Sequence, residues 1–240
     1  MDLEERITKE KGASDLLAYY VHQPLENMIV ARLMHTSVTP NQVTVATNLA
    51  AYAVAALFAV GRLVEASVLS FLVGLMDGLD GKLARAKYMA TNLGKLEHAF
   101  DLLYEFTWLL ALAYFLTAST GSWSHLLYGF ASVTLISFYR MVYDTFGKAV
   151  GSSLDNYSPF ERVFRRVAGR RNLYNIHILV GILVGSPEAS LVSITVHAAI
   201  TAVVYSIRAG IHLHKLDREN HLKHGRNGVE PWPVEDASVG

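Results

Sequence analysis

Two acids, two small residues and a guanidinium share one face of an apolar segment that reads Asp77-Gly78-Leu79-Asp80-Gly81-Lys82-Leu83-Ala84-Arg85. On a helix turning about 100° per residue, Asp77, Asp80, Gly81, Ala84 and Arg85 fall within an arc of about 140°. A charged residue inside a membrane segment costs about 2.5 kcal/mol or more, so acids in such a place point to function. Carboxylates three residues apart can hold one hard cation such as Mg²⁺, which binds oxygen and accompanies substrate phosphates. Gly81 and Ala84 leave room for a bulky group against the backbone, and the fork of Arg85 suits a phosphate. A second acidic face follows at Glu97, Asp101 and Glu105, within an arc of about 80°. A short loop joins the two segments, so they pack antiparallel with the acids at one depth. Asp77, Asp80, Glu97 and Asp101 are then expected to converge, and two divalent cations would satisfy that charge and serve phosphoryl transfer.

The elements that must position these groups are apolar and long. The 240-residue chain is 52% hydrophobic and 18% charged. A bilayer needs about 20 apolar residues per spanning helix. Six stretches approach that: Val43–Val60, Leu63–Leu83, Leu96–Leu116, Leu126–Phe146, Tyr174–Gly185 with its flanks, and Leu191–Leu213. A soluble helical bundle rarely shows an uncharged run such as Val43–Val60. All of the 21 Lys and Arg residues except Arg62 then lie on one side, which places both termini and the acids in the cytoplasm. The expected class is therefore an all-α polytopic membrane protein with six transmembrane helices. Before the first span, Leu16, Leu17 and Tyr20, then Met28, Ile29 and Leu33, form an apolar stripe suited to an interfacial amphipathic helix. Pro24 is expected to break or kink it. Thr39 is the expected N-cap of the first span, with Pro40 at its first position. The chain divides into an N-terminal interfacial part (1–36), a membrane domain (37–215) and a charged, loose tail (216–240).

The absence of cysteine excludes disulfides and thiolate metal sites. Zero net charge gives no reason for a nucleic-acid partner, and the acidic opening MDLEERITKEK lacks the apolar core of a secretory signal.

Asp77-x2-Asp80-Gly81-x2-Ala84-Arg85 resembles the start of the CDP-alcohol phosphotransferase motif, D-x2-D-G-x2-A-R-x7/8-G-x3-D-x3-D. The shorter spacing puts the third acid at Glu97 and the fourth at Asp101. Glutamate replaces the family's aspartate there, and Gly94 lies one residue late, with Leu93 in its place. Counting from Gly94 instead gives His98 and Leu102, and a leucine supplies neither ligand nor base. Val38-Thr39-Pro40-Asn41-Gln42-Val43-Thr44 also looks like that family's approach to its first span. The resemblance covers roughly residues 24–215. It implies that Asp77, Asp80 and Glu97, with Asp101, hold two divalent cations, Mg²⁺ or Mn²⁺, and that Asp101 activates the acceptor hydroxyl. It implies that Asp77, Gly81, Ala84 and Arg85 line the CDP pocket. A CDP-linked alcohol donor, an alcohol acceptor, membrane lipid and a second copy in a homodimer are the partners it implies.

Simpler readings stand beside these. Asp77 and Asp80 as helix-end acids would pair with Lys82 or Arg85. Glu105 is expected to pair with a histidine or arginine of a neighbouring helix, His98 to pack, and His177 and His197 to be satisfied core residues. Arg140, Arg162, Arg165, Arg166, Arg170 and Arg171 either anchor to anionic headgroups or reach substrate. Arg140, Arg166, Arg170 and Arg171 are the candidate contacts for an acceptor phosphate. The expected activity is transfer of a phosphoryl-alcohol unit, such as phosphatidyl, from a CDP-alcohol to an acceptor alcohol with release of CMP. Its alternatives are a CDP-polar-alcohol transferase that makes a phosphodiester of a polyol such as inositol phosphate, and a transporter using intramembrane acids. A transporter needs polar groups across the whole bilayer, whereas these acids sit near one face. An aspartate-rich prenyltransferase would need DDxxD-like clusters, and the sequence has none.

Overall fold

A computed structural model describes residues 22–89 and 96–227, with every side chain in those ranges except Glu97 and 222–227. The described residues are helical, without strands. In chain order they form α1 (Gln23–Leu33), α2 (Pro40–Ala59), α3 (Leu63–Ala86), α4 (Glu97–Thr120), α5 (Ser124–Val150), α6 (Leu154–Tyr157), α7 (Pro159–Phe164), α8 (Arg171–Leu183) and α9 (Pro187–Asn227).

Local sequence sets most boundaries. Thr39 caps α2 in a reciprocal box, its hydroxyl accepting from the Gln42 N–H while Gln42 Oε1 accepts from the Thr39 N–H, with Pro40 behind the cap. Each bond satisfies an amide that the first turn leaves unpaired. Helices α4 and α5 end at Gly121 (φ +73°) and Gly151 (φ +75°), where only glycine takes the left-handed turn without strain.

Tyr104, Trp108, Leu112, Phe58, Ile136, Phe146, Leu191 and Ile194 fill the centre of the bundle. Small residues, including Ala51, Ala55, Ala198, Ala202 and Ala209, let the helices approach closely there. The indole N–H of Trp108 donates to the Ala51 carbonyl at 2.7 Å and ties α4 to α2. A Ser132–Thr195 hydroxyl contact of 2.9 Å ties α5 to α9. The outward faces remain apolar, as at Leu49, Val68, Leu127, Phe130, Val196 and Val203. A bilayer accepts such a surface and water does not.

Four helices are long and apolar enough to cross a membrane, over Pro40–Ala59, His98–Thr120, Ser124–Val150 and Pro187–His221. Of the six expected spans, two are therefore unlike the rest. Helix α3 has the length, at 24 residues, but carries the charged motif. Helix α8 has only 13 residues, about 20 Å, and is too short to cross alone. The tail expected to be loose from Leu216 is helical as far as Asn227. No glycine or proline interrupts it before Gly225, and Lys215 and Glu219 stand 3.9 Å apart on its surface.

Helix α1 is not the single apolar stripe of the sequence reading. Met28 faces outward while Val30 is fully buried against α3, with Ile29 and Leu33 packed alongside. Pro24 lies in the first turn of α1, and the residues before His22, across which a break or kink would be seen, lie outside the described residues. Leu16, Leu17 and Tyr20 lie outside the described residues.

Candidate active site

Three helices deliver the site. Helix α3 brings Asp77 and Asp80, α4 brings Asp101, Tyr104 and Glu105, and α8 brings Arg171 in its first turn. Asp77 and Asp101 are hydrogen-bond neighbours across α3 and α4. The Tyr104 hydroxyl donates to Asp77 Oδ1 at 3.1 Å, and Arg171 Nη2 donates to Asp77 Oδ2 at 2.5 Å. Arg171 also hydrogen-bonds the Tyr104 hydroxyl and lies over its ring, 5.3 Å from the centroid. Fully buried, Tyr104 thus holds both the acid and the guanidinium in place.

Asp80 turns elsewhere. It is buried, accepts from the Thr44 hydroxyl at 2.6 Å, and caps its own neighbour's amide, Gly81 N–H, at 2.6 Å. Of the four carboxylates expected to converge, Asp77 and Asp101 are in contact, and Asp80 lies one turn after Asp77 on the same helix. Among the described residues no group of three acids or histidines is placed to hold one ion, and the Glu97 side chain lies outside them. Gly81, Ala84 and Arg85 are all partly exposed on the same face of α3, while Lys82, Leu83 and Ala86 behind them are buried. A Cβ at Gly81 would meet Arg85 Nη1 at 3.5 Å, an ordinary contact, so the space over Gly81 is open apart from that guanidinium. Leu102, the alternative to Asp101 in the motif, packs on the core.

The arginines do not act as one cluster. Arg171 belongs to Asp77, and Arg140 pairs with buried Glu105 at 2.6 Å, the neighbouring-helix partner expected for that glutamate. Arg170 and Arg165 both bind Asp155, at 2.9 and 3.1 Å. Arg166 is exposed. The reason is the acids in the same loop. Asp155 is fully buried and also accepts from the Tyr205 hydroxyl at 2.7 Å. Glu161 binds Arg208 at 2.5 Å, His212 at 2.8 Å and the Ser158 hydroxyl. Burial pushes the Glu161 carboxyl up, but hydrogen bonds from Arg208, Ser158 and His212 outweigh it and hold its pKa at about 2.

These contacts thread the chain into the bundle just ahead of α8. The Gly169 N–H donates to Thr201 at 2.8 Å and its carbonyl accepts from Tyr139 at 2.9 Å. A Cβ on Gly169 would fall 2.1 Å from the Tyr174 hydroxyl, so the loop passes only as glycine. With Arg170 held by Asp155, Arg171 is delivered to Asp77.

The histidines divide. His98 is not a packing residue: its side chain is 90% exposed, with Nδ1 3.8 Å from Asp101. The start of α4 projects it away from the core. His177 and His197 are satisfied, as expected, by each other at 3.1 Å, by Ser193 at 2.9 Å and by the Val167 carbonyl at 2.7 Å. Sequence reasoning missed Thr44, Tyr104, Asp155 and Glu161. Tyr104 stands three residues after Asp101 on the same helical face, and the two loop acids stand among unneutralised arginines; those were the available signals.

A family model for the CDP-alcohol phosphatidyltransferases matches residues 37–207. The fold is shared with the crystal structure of the phosphatidylinositol phosphate synthase of Mycobacterium tuberculosis with CDP-DAG bound, at a TM-score of 0.63 and 19% identity. That similarity covers 78% of this chain and 94% of the synthase. No curated protein matches the sequence. The family match spans both acidic helices, Thr44 and Arg171, so the residues that meet at Asp77 all lie inside it. The chain is an integral membrane transferase and belongs to the CDP-alcohol phosphatidyltransferase family.

Proposed function

We propose that this transferase moves a phosphatidyl unit from CDP-diacylglycerol to the hydroxyl of an acceptor that itself bears a phosphate, such as an inositol phosphate or a glycerol phosphate. The observation that carries the reading is the meeting of Asp77, Asp101, Tyr104 and Arg171 from three helices. The bound CDP-DAG of the M. tuberculosis synthase supports the donor. In the reaction the acceptor oxygen bonds to the phosphorus that carries diacylglycerol, the bond from that phosphorus to the CMP oxygen breaks, and CMP leaves. The hydroxyl proton passes to the Asp101 carboxylate, whose side chain keeps 15% of its surface open. Gly81, Ala84 and Arg85 form the accessible face against which the CDP unit lies. Arg171 is the acceptor-phosphate contact we favour, because of the four candidate arginines it is the one paired with Asp77. Arg140 stands next through Glu105.

Asp77, Asp80, Glu97 and Asp101 offer only oxygen donors, the set that Mg²⁺ or Mn²⁺ prefers. The Asp77–Asp101 contact fits such ions, because two carboxyl groups that close need a proton or a cation between them. Bound there, divalent ions would neutralise the diphosphate and stabilise departing CMP. The charge asymmetry supports a cytoplasmic site and cytoplasmic termini, and the family supports a homodimer.

The test is CMP release by purified protein with Mg²⁺ or Mn²⁺. CDP-diacylglycerol, CDP-choline, CDP-ethanolamine and CDP-inositol are compared as donors, each with inositol phosphate, glycerol phosphate and free inositol. Turnover is expected only with CDP-diacylglycerol and a phosphorylated acceptor. Preference for an uncharged alcohol would overturn the acceptor assignment, and preference for a polar CDP-alcohol the donor assignment.

A further inference from the structure

Helix α3 has two faces of opposite character. Asp77, Asp80, Gly81, Ala84 and Arg85 occupy an arc of about 140°, and Gly78, Leu79, Lys82, Leu83 and Ala86 fill a second arc of the same width behind it. The rear face is where α1 lies. Glu26 and Lys82 form an ion pair of 2.9 Å in which each side chain keeps only 10% of its surface. Lys82 also donates to Asn27 Oδ1 at 2.6 Å. A Cβ on Gly78 would stand 2.3 Å from Glu26 Oε1, so the carboxylate lies flat against the helix between Asp77 and Leu79. One turn earlier His22 approaches Gly74, at 3.5 Å from where a Cβ would be. Contacts at 74, 78 and 82 of α3 thus match His22, just before α1, and then Glu26 and Asn27 of α1, so the two helices run parallel with small residues at the seam. Val30, Leu79, Leu83 and Ala86 close an apolar core over the pair.

We propose that Glu26, Lys82 and Gly78 are positioning residues that hold the catalytic helix in register from behind. Asp77 and Asp80 belong to α3, whereas Asp101 and Tyr104 belong to α4, so the site is assembled only while the two helices keep one relative height. Apolar packing alone resists separation but not sliding. The Glu26–Lys82–Asn27 bonds are directional, and the seat of Glu26 on Gly78 admits a single depth. A shift of about 1 Å between reacting groups reduces turnover roughly a hundredfold while leaving binding largely intact.

The inference rests on the transferase reading, and wild-type turnover of CDP-diacylglycerol is the control that tests that reading separately. Two variants test the clamp. In Gly78→Ala the new methyl displaces the Glu26 carboxylate; kcat is expected to fall at least tenfold, with both KM values within about twofold of wild type. Adding Glu26→Asp withdraws the carboxylate by one methylene and is expected to restore most of kcat. In Glu26→Leu/Lys82→Met the buried charges are replaced together, a change that cores usually tolerate. It is expected to keep Tm and both KM values while kcat again falls at least tenfold. Wild-type kcat in the Leu/Met variant, or in Gly78→Ala, would reduce the contact to ordinary packing. Failure of Glu26→Asp to rescue folded Gly78→Ala would overturn the proposal equally.

Discussion

Asp101 and His98 stand one turn apart at the start of α4, and the two registers of the motif take either Asp101 as the fourth functional position or His98 as the third. Asp101 contacts Asp77, while His98 projects into the open. A general base contributes about 10²–10⁴ to rate. Asp101→Asn is therefore expected to lower kcat within that range and leave donor affinity, measured by calorimetry with CDP-diacylglycerol in nanodiscs, unchanged. His98→Ala is expected to turn over within about threefold of wild type. The opposite pair of results would move the register by one residue. At this scale the sequence was informative where partners lie on one helix. Asp77, Gly81, Ala84 and Arg85 share a face because of their spacing alone, and Thr39 caps α2 because its partner Gln42 is three residues away. Thr44 and Tyr104 were hidden because their bonds to Asp80 and Asp77 close over 36 and 27 residues, distances at which periodicity carries no information.

Between elements, the loop from α6 to α8 is held by acids that neutralise its arginines. Glu161 is the one whose ionisation can be followed outside the apolar spans. Its folded pKa of about 2 lies below its ordinary value of 4.5. The bound state thus favours the carboxylate, and the contribution to stability is full above about pH 4.5 and lost as pH falls toward 2. Thermal unfolding of the wild type is expected to lose stability through that window. Glu161→Gln should start with a lower Tm at pH 7, by several degrees, and show a flatter profile between pH 5 and 3. Equal pH profiles for the two proteins would mean that Arg208 and His212 do not depend on the charge. The boundaries of this region were not legible. Ala168, Gly169 and Arg170 are small, flexible or charged, and read as a surface loop. The burial of Ala168 and Gly169 and the anchoring of Arg170 follow from Tyr139, Thr201 and Asp155, which are supplied by other helices.

For the whole molecule, the long apolar runs made the membrane class plain, and the distribution of lysines and arginines carries an expected orientation that labelling can test. The chain has no native cysteine, so single cysteines report cleanly. Ser122→Cys, in the turn between α4 and α5, is expected to react with an impermeant maleimide only from outside the cell, and Ser152→Cys only after the inner face is opened. Labelling of Ser122→Cys only from the cytoplasm would invert the topology. The span count was less legible, because hydropathy averages over α8 and its flanks and so conceals where the helix starts.

The brevity of α8 bears on how the two substrates meet. A hydrocarbon layer is about 30 Å thick, and 13 residues cover about 20 Å of it. If the Gly185 end reaches one boundary, Arg171 stands about 10 Å short of the other. The acids it touches then lie beneath the headgroup plane, in a hollow that water must fill, since guanidinium and carboxylate groups there cannot face lipid tails. In the proposed reaction a soluble acceptor would descend into that hollow, and the diphosphate of a lipid donor would sink to the same level while its acyl chains remained in the bilayer. Catalysis would then proceed in a wet notch cut into the membrane, with the depth of the notch set by the length of one helix.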